Sequence, residues 1–262
     1  MARRVWLRIE NSSTTTQVWD KFWAGKHPDS IYPPVTNIAE ELERISVLEG
    51  RKILEVGAGT GRDGLRMRAL GADVYLLDYS RESLRIIRLL SGEDPVKVIL
   101  GDARNCPFGA GTFDIVFHQG LLEHFHSPWH LLRENARILK KGGLLIVDVP
   151  QTFHVYTLMK HLLMILGLWF GGWERQFTPG SLSGLLEKLG FEVIRVYGDW
   201  SRPGVIYKII RQVFMKVRIV LPMYPKFLGA FTVRWYRLQS RLRKKRLLLY
   251  TVLSIGVIAR KI

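Results

Sequence analysis

Gly57, Gly59 and Gly61 alternate directly after the apolar run Ile53-Leu54-Glu55-Val56, with Ala58 and Thr60 between them. Backbone without Cβ atoms can turn sharply and lie close against a ligand where a helix begins. Phosphate-binding and dinucleotide-binding chains use similar loops, so the glycines alone are ambiguous. Three carboxylates narrow the reading: Glu55 two residues before Gly57, Asp78 after Tyr75-Leu76-Leu77, and Asp102 after Val98-Ile99-Leu100-Gly101. Acidic groups at three successive strand ends suit a ligand with an amine, a ribose and an adenine better than one with a pyrophosphate. An acid about 20 residues past the glycines also fits dinucleotide binding. Here, however, Arg62 stands where that pattern wants its third glycine, and Asp102 and Glu123-His124 are left without a role. His124 has the side chain best suited to proton transfer near neutral pH. It reads either as a general base or as a ring held by a backbone partner that shapes its loop. His118, His126 and His154 are weaker candidates, and Glu123 reads as a residue that orients the loop. Cys106 is the only cysteine, which excludes an internal disulfide and fits a reducing compartment; no metal-ligand spacing is visible.

These groups need a scaffold that brings strand ends together. Apolar strands at Lys52–Val56, Asp73–Leu77, Val96–Leu100, Thr112–His118 and Leu144–Val149 alternate with helices over Arg62–Leu70, Ser80–Leu90 and Trp129–Leu139. Near-continuous Val, Ile and Leu runs between helices predict a parallel sheet covered on both faces. A helix over Ser181–Leu189, a strand over Phe191–Tyr197 and a final strand over Tyr250–Ala259 follow. Ahead of this core, Thr15–Ala24 carries Val18, Trp19, Phe22 and Trp23 at helical spacing, which suits core packing or a lid; a second helix runs over Asn37–Leu48 beyond Pro33-Pro34. Two segments interrupt the plan. Val155–Phe170 is apolar but holds Lys160 and His161, and it is shorter than the roughly 20 residues that cross a bilayer, which predicts a buried or interfacial helix. On a helical wheel for Val205–Leu221, Lys208, Arg211, Gln212, Lys216 and Arg218 face Ile206, Ile210, Val213, Phe214, Val217 and Val220, a pattern of helices that lie in membrane interfaces.

The net charge of +16 is concentrated at one end. From Ser201 to Ile262 there are fifteen basic residues and no acidic ones, whereas the first 200 residues nearly balance. A polyanionic partner is implied for the tail, either an anionic membrane or nucleic acid. The amphipathic pattern favours membrane, with residues 203–246 as the contact. The amino terminus shows no apolar signal-peptide core, so the expected location is the cytoplasm, peripheral to the inner face of the membrane.

The ordered set Glu55-Val-Gly-Ala-Gly-Thr-Gly61, Leu77-Asp78, Gly101-Asp102-Ala103, Pro107-Phe108, Thr112–Val116, Leu122-Glu123-His124-Phe125 and Arg137–Gly143 resembles the class I S-adenosylmethionine-dependent methyltransferases, particularly the small-molecule branch that includes quinone O- and C-methyltransferases. The resemblance covers roughly residues 50–198 and the last strand. It implies an α/β, Rossmann-like, doubly wound sheet of seven strands, mostly parallel with an antiparallel last strand. The expected organisation is one domain over residues 1–262, with a helical lid over 1–48, an apolar insertion at 150–178 and a basic helical insertion at 199–248. It also implies S-adenosylmethionine as cofactor. Gly57, Ala58, Gly59 and Gly61 would wrap its methionine part and Glu55 would orient its amine. Asp78, with Tyr79 beside it, would take the ribose hydroxyls, Asp102 and Ala103 the adenine, and His118 and Gln119 would line the methyl end. The implied activity is methyl transfer, to oxygen by preference, on a hydrophobic or lipid-linked small molecule. An RNA methyltransferase using the basic tail, and a cofactor-binding protein without turnover, are the alternatives.

Overall fold

The computed structural model describes residues 16–24, 37–92, 96–167, 173–200 and 245–262, with isolated positions between 207 and 238. Seven strands form one sheet: β1 (Lys52–Val56), β2 (Asp73–Asp78), β3 (Lys97–Leu100), β4 (Phe113–Gln119), β5 (Leu139–Pro150), β6 (Phe191–Asp199) and β7 (Ser254–Lys261), in the order β3-β2-β1-β4-β5-β7-β6. Neighbours from β3 to β5 pair in parallel, and β7 runs antiparallel to both β5 and β6. This is the mostly parallel, seven-stranded architecture that the alternation of apolar runs implies.

Period-two alternation divides the strand residues between two cores. Leu54, Val56, Val116, Leu145 and Val147 face α5 (Pro128–Ile138) and α7 (Pro179–Glu187) through Leu131, Leu132, Leu182 and Leu186. Ile53, Leu76, Ile115, Phe117 and Ile146 face the opposite layer through Ile38 and Leu42 of α2 (Asn37–Glu43), Met67 of α3 (Arg62–Ala69), and Leu84 and Ile87 of α4 (Arg81–Ser91). Burying each such side chain contributes roughly 1.5–3 kcal/mol before chain entropy is counted. Local signals set the helix ends. Ser80 accepts the Ser83 N–H at 3.2 Å to start α4, and Thr178 forms a capping box with Ser181 ahead of α7.

The order of the strands fixes where a ligand can sit. After β1 the chain winds outward through β2 and β3, then crosses back to β4 on the other side of β1. Connections therefore diverge above the carboxyl ends of β1 and β4, leaving a crevice there.

Several boundaries differ from the sequence expectation. β5 begins at Leu139, because Lys140–Gly143 continues the strand through a register shift opposite Phe113 and Ile115 instead of forming a turn. β7 starts at Ser254, since Arg246–Tyr250 closes into a 3₁₀ turn. The apolar segment after β5 is helical over Val155–Ile165, which is α6. Residues 168–170, proposed as its end, lie outside the described residues, as do 1–15, 25–36 and most of 203–244. Among the described residues, no helix is long and apolar enough to cross a membrane.

Candidate functional site

A cavity of about 290 Å³ opens at the crevice over β1 and β4, near the lower end of the roughly 300–1,000 Å³ common for ligand sites. Its floor is the glycine loop. Gly57 and Gly59 have φ of 65° and 55°, in the left-handed region that side chains avoid. A Cβ on Gly57 would come within 2.9 Å of Leu121 Cδ1, and one on Gly59 within 3.0 Å of Trp23. Both positions therefore need glycine for conformation and for close approach. Gly61 does different work: its neighbours are Leu76 and Ile87, so it lets α3 pack on the sheet and does not line the cavity.

Carboxylates hold this loop in place. One oxygen of Asp78 accepts the Gly59 N–H and the other accepts the Ser80 N–H, each at 2.8 Å. The Asp78 carboxylate also lines the cavity, where it faces a ligand. Burial pushes the Asp78 carboxyl above its ordinary range, and these backbone donors pull it back. Glu55 accepts the Gly64 N–H at 2.9 Å, which ties the strand end to the first turn of α3. Burial, followed by the proximity of Asp63, holds the Glu55 carboxyl well above the ordinary value. A ligand ammonium beside it would relieve that cost. Arg62 donates to the side-chain oxygen of Gln119 and stands 3.5 Å from Asp63. A cation and the buried acid Glu55 thus share the wall near Gly57, an arrangement able to hold both ends of an amino acid. Ala58, Tyr79, Ala103 and Gln119 also line the cavity.

Asp102 lies at the opposite end and is engaged. Arg104 grips it through Nε at 3.0 Å and Nη2 at 2.7 Å, and the Arg104 bonds draw the Asp102 carboxyl below its ordinary range. The sequence reading did not single out Arg104, although its place two residues after Asp102 in a loop was a usable signal. Leu121 was not singled out either, and Phe125, Trp19 and Trp23 had no fixed role. These four side chains, the tryptophans from α1 (Thr16–Ala24), make the apolar side of the cavity. α1 is fastened to the floor where the Ser80 hydroxyl donates to Asp20 at 2.6 Å.

The four candidate histidines separate by position. His124 sits on the 3₁₀ turn Leu122–His124, lines the cavity and meets the Trp19 ring edge-on at 4.9 Å. Burial lowers its pKa to about 4, so it is a neutral ring, and its Nδ1 has no partner among the described residues. His118 falls on the Val116 face of β4, fully buried toward the α5–α7 layer, and does not line the cavity; burial lowers its pKa to about 3. Alternation along β4 points His118 and Gln119 to opposite sides, which is why only Gln119 reaches the ligand crevice. His126 stacks on Trp173, and His154 caps α6 by accepting the Tyr156 N–H at 3.2 Å. Behind His124 the chain buries Glu123, whose pKa burial and then Glu174 raise to about 8, and the ion pair of Lys160 with Glu174. Among the described residues, no group of acids, histidines and cysteine could hold a metal ion.

Residues 54–147 match a family model described as a methyltransferase domain. Ubiquinone biosynthesis O-methyltransferase of Marinobacter nauticus is 29% identical over 207 residues, spanning 74% of this chain and 85% of that protein. The chloroplastic 2-methyl-6-phytyl-1,4-hydroquinone methyltransferase 1 of Oryza sativa subsp. japonica is 31% identical over 159 residues, 56% of this chain and 48% of that protein. The magnesium protoporphyrin IX methyltransferase of Synechocystis PCC 6803, solved with bound SAH, aligns at a TM-score of 0.56 and 15% identity over 100% of this chain and 94% of that one, a likeness of fold.

Proposed function

The chain is an S-adenosylmethionine-dependent methyltransferase with the class I fold, and from that premise we propose that it methylates an oxygen of a hydrophobic, lipid-linked acceptor at a membrane surface. A prenylated quinone precursor is the acceptor class favoured by the activities of the relatives from Marinobacter nauticus and Oryza sativa. The observation that carries the proposal is the composition of the cavity wall. Trp19, Trp23, Leu121 and Phe125 line the cavity together with the neutral ring of His124, which Trp19 meets edge-on, whereas the carboxylates gather on the floor.

The described residues fit the cofactor. A side-chain-free bend admits close approach, Glu55 and Arg62 suit the ammonium and carboxylate of its amino acid, and the Asp78 carboxylate lining the cavity suits ribose hydroxyls. When bound, S-adenosylmethionine supplies an electrophilic methyl group on a sulfonium. The protein's part is to hold the acceptor oxygen close and in line, which can contribute most of the acceleration. His124 is the side chain placed to accept the hydroxyl proton. Being neutral it is free to do so; burial disfavours the imidazolium that results, and Glu174 offsets that cost in part while its partner Lys160 adds to it. The aromatic wall keeps water from the oxygen and matches a flat, apolar ring.

The proposal includes peripheral attachment to the cytoplasmic face of a membrane, a reading supported by the fifteen basic residues after Ser201. Incubation with methyl-labelled S-adenosylmethionine, offered total membrane lipid and total RNA together, tests the proposal. Label recovered in the organic phase as a methyl ether supports it. Label in RNA would favour nucleic acid as the substrate, and cofactor binding without transfer to either would favour a protein that has lost turnover.

A further inference from the structure

α6 is built inside out. Its inward stripe is Thr157, Lys160 and Met164, and Lys160 is buried in an ion pair with Glu174. Its outward stripe is Val155, Leu158, Met159, Leu162, Ile165 and Leu166, with Val155 74%, Leu162 57% and Ile165 68% exposed. A surface helix in water shows the reverse arrangement, and contiguous exposed apolar side chains mark a binding surface. The patch does not end with the helix. Exposed Phe153 just before it lies 6.2 Å, ring centre to ring centre and tilted, from Tyr250 on the 3₁₀ turn Arg246–Tyr250, where Leu247 is 84% exposed. That turn directly follows the run Arg243-Lys244-Lys245-Arg246. Lys245, exposed at the start of that turn, sets positive charge at the margin of this apolar surface.

From this juxtaposition we infer that α6 is the element seated in the bilayer: it lies in the plane of an anionic membrane, its outward aliphatic stripe among the acyl chains and the basic residues beside Leu247 over the head groups. The inference rests on the proposed membrane reading and deepens it by naming the element and its lipid chemistry. An eleven-residue helix is about 16 Å long, half the roughly 30 Å of a hydrocarbon core, so it can lie in the interface but not span. Charge complementarity selects the occupant. A second copy of this chain would bring like charge against the basic rim, whereas anionic head groups neutralise it. The buried Lys160–Glu174 pair gives the seat a functional direction. It anchors the inner face of α6 beside the layer of Glu123 and His124, and the Glu174 carboxylate acts electrostatically on both. A lipid-linked acceptor leaving the bilayer under α6 arrives on the His124 side of the cavity.

A probe on the outward stripe tests this. Cys106 is buried and its thiol is pushed up to about 12, so a thiol-directed environment-sensitive dye will mark Leu162→Cys, with the wild-type chain as labelling control. In buffer the dye should report water. With vesicles containing anionic lipid it should shift to the blue and be quenched by nitroxides on the acyl chains, and neutral vesicles should give a much smaller response. A second variant, L158D/L162D, should partition into anionic vesicles at least about a hundredfold more weakly, each lost apolar contact accounting for about tenfold, while still binding S-adenosylhomocysteine. Flotation with the dye still in water would overturn this inference and leave attachment to the basic segment alone. Absence of flotation would overturn the membrane reading itself. A dye already shifted without vesicles would show that protein covers α6, and would also overturn the inference.

Discussion

Replacing Glu123 by Gln should change how the protein's stability depends on pH. Glu123 is buried behind His124, with one carboxylate oxygen lacking a partner among the described residues. Burial and the neighbouring Glu174 raise its pKa from an ordinary 4.5 to about 8. The folded pKa therefore lies above the unfolded one, and the unfolded chain releases this proton first. Stability must then fall as pH rises from about 4.5 toward about 8. At pH 7 the penalty is roughly 3 kcal/mol, and at pH 5 it is under about 1 kcal/mol. Glu123→Gln cannot ionise, so it escapes this penalty. The buried amide brings a cost of its own, from an NH₂ that finds no acceptor, but that cost does not vary with pH. Urea unfolding of both proteins at pH 5 and pH 7 isolates the titration. The stability of Glu123→Gln relative to wild type should improve by roughly 2–3 kcal/mol between the two. A difference that stays constant would show Glu123 ionised in the folded protein, and the dry, neutral surroundings assigned to His124 would be wrong.

Two further outcomes concern the cofactor floor. Asp78→Asn leaves one acceptor oxygen where two backbone N–H groups need one each, so Gly59 or Ser80 loses its partner. Thermal melts should show a loss of about 1–3 kcal/mol, and S-adenosylhomocysteine should bind about ten- to a hundredfold more weakly, as charge-assisted bonds are lost; wild-type affinity would contradict the ribose assignment. Because burial and Asp63 hold the Glu55 carboxyl well up, binding a ligand ammonium there should release a proton. Affinity should then rise with pH through the acid range, and calorimetry in buffers of different ionisation heat should show the release; buffer-independent heats would exclude Glu55 as the amine's partner.

Much of this floor was legible in the sequence, because its determinants are local. Alternate glycines, short apolar runs and terminal acids report backbone conformation and strand ends directly, and the fold places Glu55, Gly57, Gly59 and Asp78 around one cavity. His118 could be placed only by counting alternation along a strand whose two faces are both apolar; the residue looks like a site histidine until the strand's phase is known. Lys140–Gly143 reads as a turn by composition, yet it lies within β5 as an irregularity between the pairs Leu139–Phe113 and Leu144–Ile115. The Asp102–Arg104 clasp is a side-chain choice that spacing does not reveal. The inversion of α6 was the least accessible feature. A lysine in an apolar helix suggests a solvent-facing edge, and only Glu174, fourteen residues away, turns it inward. At Arg211 the same thing happens: a residue expected on a polar outer face is buried and donates to the Leu221 carbonyl at 3.1 Å, while Ile210, Val213 and Phe214 are exposed.

The most direct test of the site is a calorimetric titration of the purified chain with S-adenosylmethionine and with S-adenosylhomocysteine. Saturable one-to-one heats for both, weakened in Asp78→Asn, are the predicted result. Absence of binding by either compound, in protein that melts cooperatively, would contradict the assignment of the crevice over β1 and β4.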